Sequence, residues 1–349
     1  MRWDAMRASG PPGESALFGR EVAARTFDTP GFRGMTFYEI HARSIINRVP
    51  QTSRVPFSWT INPYRGCGHG CVYCFARKTH TYLDLDAGHD FDTKIVVKVN
   101  APELTRRELA SPRWAGEHVA MGTNVDCYQR AEGRYQLMPG IISALRDARN
   151  PFSILTKGTL ILRDLDLLAS AAEVTDVGLN VSVGFVDKSL SRLAEPGTPG
   201  PDRRLGVVAA LTGRGLRCGV LMGPILPFLS DSPAQLDATV REVAAAGAAS
   251  VTPIVLHLRP GAREWYQRWL REHHPELVGA YRELYGTGSY AARDYQQRIC
   301  AEVTGLARRY RVGASSPRRA RRISPSRPPG RAQAAGTAGR PEQTQLSLL

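Results

Sequence analysis

The sequence has no run of about 18 uninterrupted apolar residues, the minimum for a membrane-spanning helix. Its first twenty residues, mixed in charge and broken by Pro11-Pro12-Gly13, hold no apolar stretch of signal-peptide length. A cytoplasmic setting is therefore expected, with no membrane partner. Cysteine is scarce, at six in 349 residues, and cytoplasmic thiols stay reduced. That argues against a disulfide framework and makes metal ligation the expected use of any clustered cysteines. Acidic residues are also in deficit: 32 Asp and Glu against 46 Lys and Arg leave a formal charge of +14. Such an excess concentrates and steers anions, so it points to a polyanionic partner such as nucleic acid, although it also serves solubility.

What the chain does have is length and apolar content, with 42% hydrophobic residues. That is ample for one large α/β domain with extensions. Residues 1–50 read as an N-terminal extension, rich in Gly, Pro and Arg and without sustained periodicity. From Phe57 a β-rich run is followed by a helical stretch every ~30–40 residues, the spacing of βα units. Strands are predicted at 57–62, 117–122, 152–156, 177–184, 217–223 and 250–256, with Ile95–Val99 as an extended segment outside the main sheet. Helices are predicted at 102–110, 138–148, 163–172, 203–212 and 233–246, the last opened by the cap and first-turn proline of Asp231-Ser232-Pro233. Six alternating units predict a parallel sheet curled into a full or partial barrel. Helices at 262–285 and 290–311 read as a C-terminal cap completing a domain over 51–312. Residues 313–349 are rich in Arg, Pro and Ser and are expected to be disordered. Between Ala314 and Leu349 they carry seven arginines and one glutamate, +6 of the +14.

Three of the six cysteines fall in Arg65-Gly66-Cys67-Gly68-His69-Gly70-Cys71-Val72-Tyr73-Cys74, at C-x3-C-x2-C spacing just after the first predicted strand. Three thiolates converging on a strand-end loop are a metal-site signature. They can ligate three irons of a 4Fe-4S cluster and leave the fourth open to a small molecule. The rival is zinc, with a fourth ligand from His69, His80 or a distant residue.

This loop, with Tyr73 before the last cysteine and six βα units downstream, resembles the radical S-adenosylmethionine (radical SAM) superfamily. Asn62-Pro63-Tyr64-Arg65-Gly66-Cys67 and the continuation Cys-x-Tyr-Cys-Phe-Ala-Arg resemble its spore photoproduct lyase-like, or DNA repair photolyase-like, branch, over roughly residues 55–310. The resemblance implies a (β/α)6 partial TIM barrel and a 4Fe-4S cluster on Cys67, Cys71 and Cys74. It also implies S-adenosylmethionine on the open iron and an electron donor such as flavodoxin or ferredoxin. Reductive cleavage would release methionine and a 5′-deoxyadenosyl radical that abstracts hydrogen from a substrate.

Cofactor-binding roles carry over to Tyr73 beside the cluster and to the turn Gly122-Thr123-Asn124-Val125-Asp126. There Gly122 permits close approach, Thr123 offers a hydroxyl and Asp126 a charge for the methionyl ammonium; an ordinary turn capped by Asp126 is the plainer reading. Ser182 would meet ribose or carboxylate, or be a buried, satisfied hydroxyl. Lys157 would meet a carboxylate or phosphate, or be a solvated charge. The branch's Glu-Pro segment is matched by Glu195-Pro196, with Arg203 and Arg204 suited to cofactor carboxylate or nucleic-acid phosphate, or to pairing with Glu195. Gly223-Pro224 suits a rigid turn near adenine. Cys127 stands where the branch usually has proline and receives no role, while Cys218 and Cys300 read as packing residues.

The function expected is radical chemistry on nucleic acid, DNA repair-like. Radical modification of a protein or small metabolite, and a zinc-stabilised nucleic-acid-binding module, are the alternatives. The last residues, Gln345, Leu346, Ser347, Leu348 and Leu349, resemble the peptide by which bacterial repair proteins dock on the DNA sliding clamp.

Overall fold

Two sheets divide the strands of the computed structural model, which describes residues 22–314 apart from 51, 52 and 54. In chain order the strands are β1 (Ala23–Thr26), β2 (Thr36–Ile40), β3 (Ile46–Arg48), β4 (Trp59–Ile61), β5 (Tyr64–Arg65), β6 (Lys94–Lys98), β7 (Val119–Met121), β8 (Phe152–Thr156), β9 (Val177–Ser182), β10 (Cys218–Ile225), β11 (Ser250–Val255) and β12 (Gly313–Ala314). The larger sheet runs β12-β11-β10-β9-β8-β7-β4-β3 and the smaller β1-β2-β6-β5. Every pairing from β4 through β7, β8, β9, β10 and β11 to β12 is parallel; β3 alone joins antiparallel, at the β4 edge.

Parallel neighbours need crossover connections, and helices supply them: α1 (His89–Thr93), α2 (Ala101–Leu109), α3 (Glu132–Tyr135), α4 (Leu137–Asp147), α5 (Leu165–Ala172), α6 (Lys188–Ala194), α7 (Pro201–Gly213) and α8 (Pro233–Ala245). After β11 come α9 (Ala262–His273), α10 (Val278–Tyr285) and α11 (Arg293–Arg309). The crossover helices bury one stripe each. On α4 it is Leu137, Met138, Ile141, Ile142 and Leu145, side chains whose burial stabilises by about 1.5–3 kcal/mol apiece. Ser232 and Gln235 form a capping box at the start of α8, with Pro233 in its first turn. None of the helices among the described residues is long and apolar enough to cross a membrane.

Six strands of the larger sheet, β4 and β7–β11, lie at the predicted positions, β4 and β7 shortened to three residues each, and Lys94–Lys98 lies in the smaller sheet. Residues 22–50 differ from expectation. They form β1, β2 and β3 and contribute to both sheets; β2 is buried on both faces, with Phe37 in the main core and Tyr38 and Ile40 in a smaller one, and so shows no two-residue alternation. The helix read over 262–285 is broken at Pro275, which cannot continue the α9 hydrogen-bond ladder. The segment read as 290–311 contains α11, which packs against α8 and β11, burying Ile299, Val303 and Ala307. The missed α6 is seven residues long, too short for a periodic signal. Residues 1–21 of the extension, and the tail with its clamp-like peptide, lie outside the described residues apart from Gly313 and Ala314.

Candidate active site

The cysteine loop leaves β5 and is tied down from three sides. Cys67 N–H donates to Phe91 O at 3.0 Å, Val72 N–H to Ala194 O at 3.0 Å, and Gly197 N–H to His69 O at 2.9 Å. Gln129 grips the loop's start with both ends of its amide, accepting from Gly68 N–H at 2.9 Å and donating to Gly66 O at 3.0 Å. Arg77 is fully buried between the rings of Phe91 and Trp265, and donates to Cys71 O at 2.9 Å, Gly88 O at 2.8 Å and Asp92 at 2.9 Å. Cys67 and Cys71 are buried, Cys74 is half-buried, and all six cysteines are free. Burial raises the three loop thiols; Cys71 is pushed up to about 12, with Lys157 pulling the other way.

Behind the loop lies a buried chain of charges. Tyr73 donates its hydroxyl to Glu195, which pairs with Arg204. Arg204 also donates to Ser182 O at 3.0 Å and Ser191 Oγ at 3.2 Å. Burial alone would raise the Glu195 carboxyl, but Arg204 and Lys157 outweigh it and hold it below the ordinary carboxylate range. Lys157 Nζ donates to Ser182 Oγ at 2.9 Å and lies 5.7 Å from the centre of the Tyr73 ring, while Ser182 Oγ donates to Gly223 O at 2.8 Å. Of the two arginines in the Glu-Pro segment, Arg204 is thus the partner of Glu195. His69 has Nδ1 at 3.4 Å from Asp126 Oδ2, and burial lowers its pKa, keeping the ring neutral at pH 7. The ring Nε2 of His80 stands 2.8 Å from Lys94 O.

The turn after β7 faces this network. Gly122 has φ +80°, and a Cβ there would meet Leu155 O at 1.8 Å, so only glycine fits. The Asp126 carboxylate accepts from Thr156 Oγ1 at 2.6 Å, Lys157 N–H at 2.6 Å and Tyr128 N–H at 2.9 Å. It fastens the turns after β7 and β8 to one another, so its oxygens already have protein partners. Thr123 is different: its hydroxyl is buried with no hydrogen-bond partner.

Thr123 opens onto a cavity of about 1480 Å³ on the inner face of the larger sheet. Thr60, Ala120, Ser153, Leu155, Asn180, Leu221 and Thr252 carry that lining across β4 and β7–β11. Arg65 and Phe75, which flank the cysteine loop, also line it. Tyr73, Asp126 and Ser182 stand behind the lining, linked through Lys157 and Glu195 rather than facing the space. Cys127 is fully buried and Cys218 is buried in β10, whereas Cys300, read as a packing residue, is half-buried and lines the cavity.

A family model, the radical SAM superfamily, matches residues 61–240. The chain belongs to this superfamily. The uncharacterized protein Rv2578c of Mycobacterium tuberculosis is 48% identical over 317 residues, 89% of this chain and 93% of that one. The uncharacterized protein MJ0683 of Methanocaldococcus jannaschii is 30% identical over 173 residues, covering 50% and 62%. Among solved structures, spore photoproduct lyase complexed with dinucleoside spore photoproduct superposes with a TM-score of 0.60 at 16% identity, over 80% of this chain and 81% of that one. That likeness speaks to the fold.

Radical SAM membership implies an iron–sulfur cluster and S-adenosylmethionine, and the residues present suit both. Three free thiols at the motif spacing share one clamped loop. The orphaned hydroxyl of Thr123, a residue that lines the cavity beside the loop, leaves a polar contact for a second group nearby.

Proposed function

We propose that this radical SAM enzyme holds a 4Fe-4S cluster on Cys67, Cys71 and Cys74 within a six-unit partial barrel and acts on nucleic acid in a repair-like reaction. When bound, the cluster and S-adenosylmethionine together supply an electron and a cleavable sulfonium bond, the source of a radical that takes hydrogen from substrate. The protein's own residues do the rest. Gln129, Arg77 and the 194–197 segment fix the loop. Gly122 lets its turn pack against the Leu155 backbone, Thr123 offers a hydroxyl, and Tyr73, Ser182 and Asp126 hold the wall behind them in register.

One observation carries the substrate class. The cavity beside the loop is lined by Arg48, Arg65, Lys98, Arg259 and Arg293 and, among the described residues, by no Asp or Glu. Such a wall favours an anionic occupant. Phe75, His257 and Tyr290 line it too, with ring centroids 5.5 and 5.8 Å apart in sequence, and flat aromatic faces suit bases. Spore photoproduct lyase, of similar fold, has been solved with AdoMet and a dinucleoside photoproduct bound.

Anaerobic reconstitution with iron and sulfide, followed by dithionite, S-adenosylmethionine and DNA deuterated in its bases and sugars, tests the reading. Brown protein, 5′-deoxyadenosine formation and deuterium transfer into that product are expected, with cleavage abolished by alanine at Cys67, Cys71 or Cys74. Colourless protein retaining one zinc overturns the cluster assignment; deuterium transfer only from a peptide or metabolite overturns the nucleic-acid assignment.

A further inference from the structure

Arg65 and Lys98 meet on the wall of the cavity. β5 and β6 run antiparallel with Arg65 opposite Val96, and Lys98 N–H donates to Pro63 O at 3.0 Å. In that register Arg65, Val96 and Lys98 share one face of the small sheet, and all three line the cavity. Among the described residues no carboxylate forms an ion pair with either side chain. The acidic group that acts on Lys98 is Glu108, and its two oxygens accept the N–H groups of Ile45 and Ile46, each at 2.8 Å. Arg65 Nη1 is buried without a hydrogen-bond partner. Burial first, then the neighbouring guanidinium, push Lys98 down to about 8. Two like charges drawn together in a partly dry wall cost free energy that an anion would recover, since hydrogen bonds between ions of opposite charge are the strong ones.

The chemistry of the pair narrows the anion. A guanidinium offers a planar fork and an ammonium a compact point charge, a combination matched to the several oxygens of a phosphate. Beside them Tyr82, 61% exposed, lines the same cavity and acts electrostatically on Arg65. Among the described residues, four of the seven exposed large apolar side chains, Val55, Phe75, Tyr82 and Tyr290, line this one cavity. An exposed phenol ring next to a cation pair is the arrangement that stacks a base while its phosphate is gripped.

We propose that Arg65 and Lys98 form a phosphate-binding subsite on the cavity wall, with Tyr82 placed to stack on the base attached to that phosphate. The base rests on the nucleic-acid reading; the phosphate does not. Occupation would draw a substrate's backbone to the small-sheet side of the cavity, next to the start of the cysteine loop.

The test measures binding of three probes to the reconstituted holoenzyme over a salt series: a 5′-phosphorylated single-stranded ten-nucleotide DNA, thymidine monophosphate and inorganic phosphate. Lys98→Met and Arg65→Gln are each expected to weaken at least one probe by about tenfold or more, and to lower the salt slope for DNA by about one. Lys98→Arg keeps the positive charge though not the compact ammonium, and should lose less affinity than Lys98→Met. Thermal unfolding of each variant separates lost contact from lost fold, and the Lys98→Arg protein keeps the comparison decisive if an uncharged variant does not fold. Tyr82→Ala should weaken DNA and the mononucleotide but leave inorganic phosphate unchanged. Equal affinity of wild type and Lys98→Met for all three probes overturns the subsite, as does an equal loss in Lys98→Arg and Lys98→Met. If the mononucleotide and phosphate respond as expected while DNA does not bind wild-type protein, the subsite stands and the nucleic-acid reading falls.

Discussion

At the scale of the residue, the most consequential group is Arg204, fully buried and paired with Glu195. Its removal strands a carboxylate in the interior beside Tyr73 and the cysteine loop. Arg204→Met is expected to destabilise the protein by about 3–5 kcal/mol, as is usual when one partner of a buried pair is lost. The double variant Glu195→Gln with Arg204→Met should recover part of that loss, because no unpaired charge remains. The sign with pH follows from the lowered Glu195 pKa. Stability from the pair is fully present above the ordinary carboxylate range and is lost as pH falls through the depressed value. Denaturant unfolding at pH 7 and at progressively lower pH checks both statements, and a cost of Arg204→Met that does not shrink towards acid pH contradicts the assignment. The sequence drew attention to this arginine but left it three partners, cofactor carboxylate, nucleic-acid phosphate or Glu195, since nine residues of chain do not say which way a side chain turns.

At the scale of the element, the cysteine loop owes its shape to a segment more than a hundred residues downstream. The end of α6 and the turn after it run alongside the loop, with Ala194 and Gly197 exchanging backbone hydrogen bonds with Val72 and His69. A Cβ on Gly197 would meet Gly68 O at 2.1 Å, so the contact tolerates no side chain. Gly197→Ala is therefore expected to push the two segments apart, costing about 1–3 kcal/mol in imposed strain, and to lower the iron bound per chain after reconstitution. Iron and sulfide analysis beside the wild type reads the effect, and a full complement in the variant would show that the clamp is not needed. The thiol spacing is a local feature and so was readable in the sequence, whereas the two-residue β5 that leads into the loop was too short to show a pattern. The clamp is a long-range contact, carried by a short helix with no detectable period.

At the scale of the whole molecule, the positive charge has two addresses. One is the cavity wall, and the other is the stretch from Ala314 to Leu349, with +6 of the total +14. We propose that the second tethers the enzyme, through nonspecific attraction and through the clamp-like peptide Gln345, Leu346, Leu348 and Leu349. A chain ending at residue 314 should bind long duplex DNA more weakly, with a shallower dependence of affinity on salt, and should lose any affinity for the sliding clamp. Its 5′-deoxyadenosine formation should persist. Unchanged DNA and clamp binding in the truncated chain would place the attraction wholly within the folded part.

The sequence by itself determined the superfamily, the alternation of strands and helices, the three candidate ligands and the basic character. Each is written in neighbouring residues: a C-x3-C-x2-C spacing, apolar periods, a composition. The tertiary structure decided the rest. It wove residues 22–50 into both sheets, gave Asp126 to a strand-end fastening, left the Thr123 hydroxyl without a partner, and brought Arg65 and Lys98 together across a two-residue strand. The reason is physical: charges and hydroxyls acquire their roles from what burial places against them, and those neighbours come from distant parts of the chain.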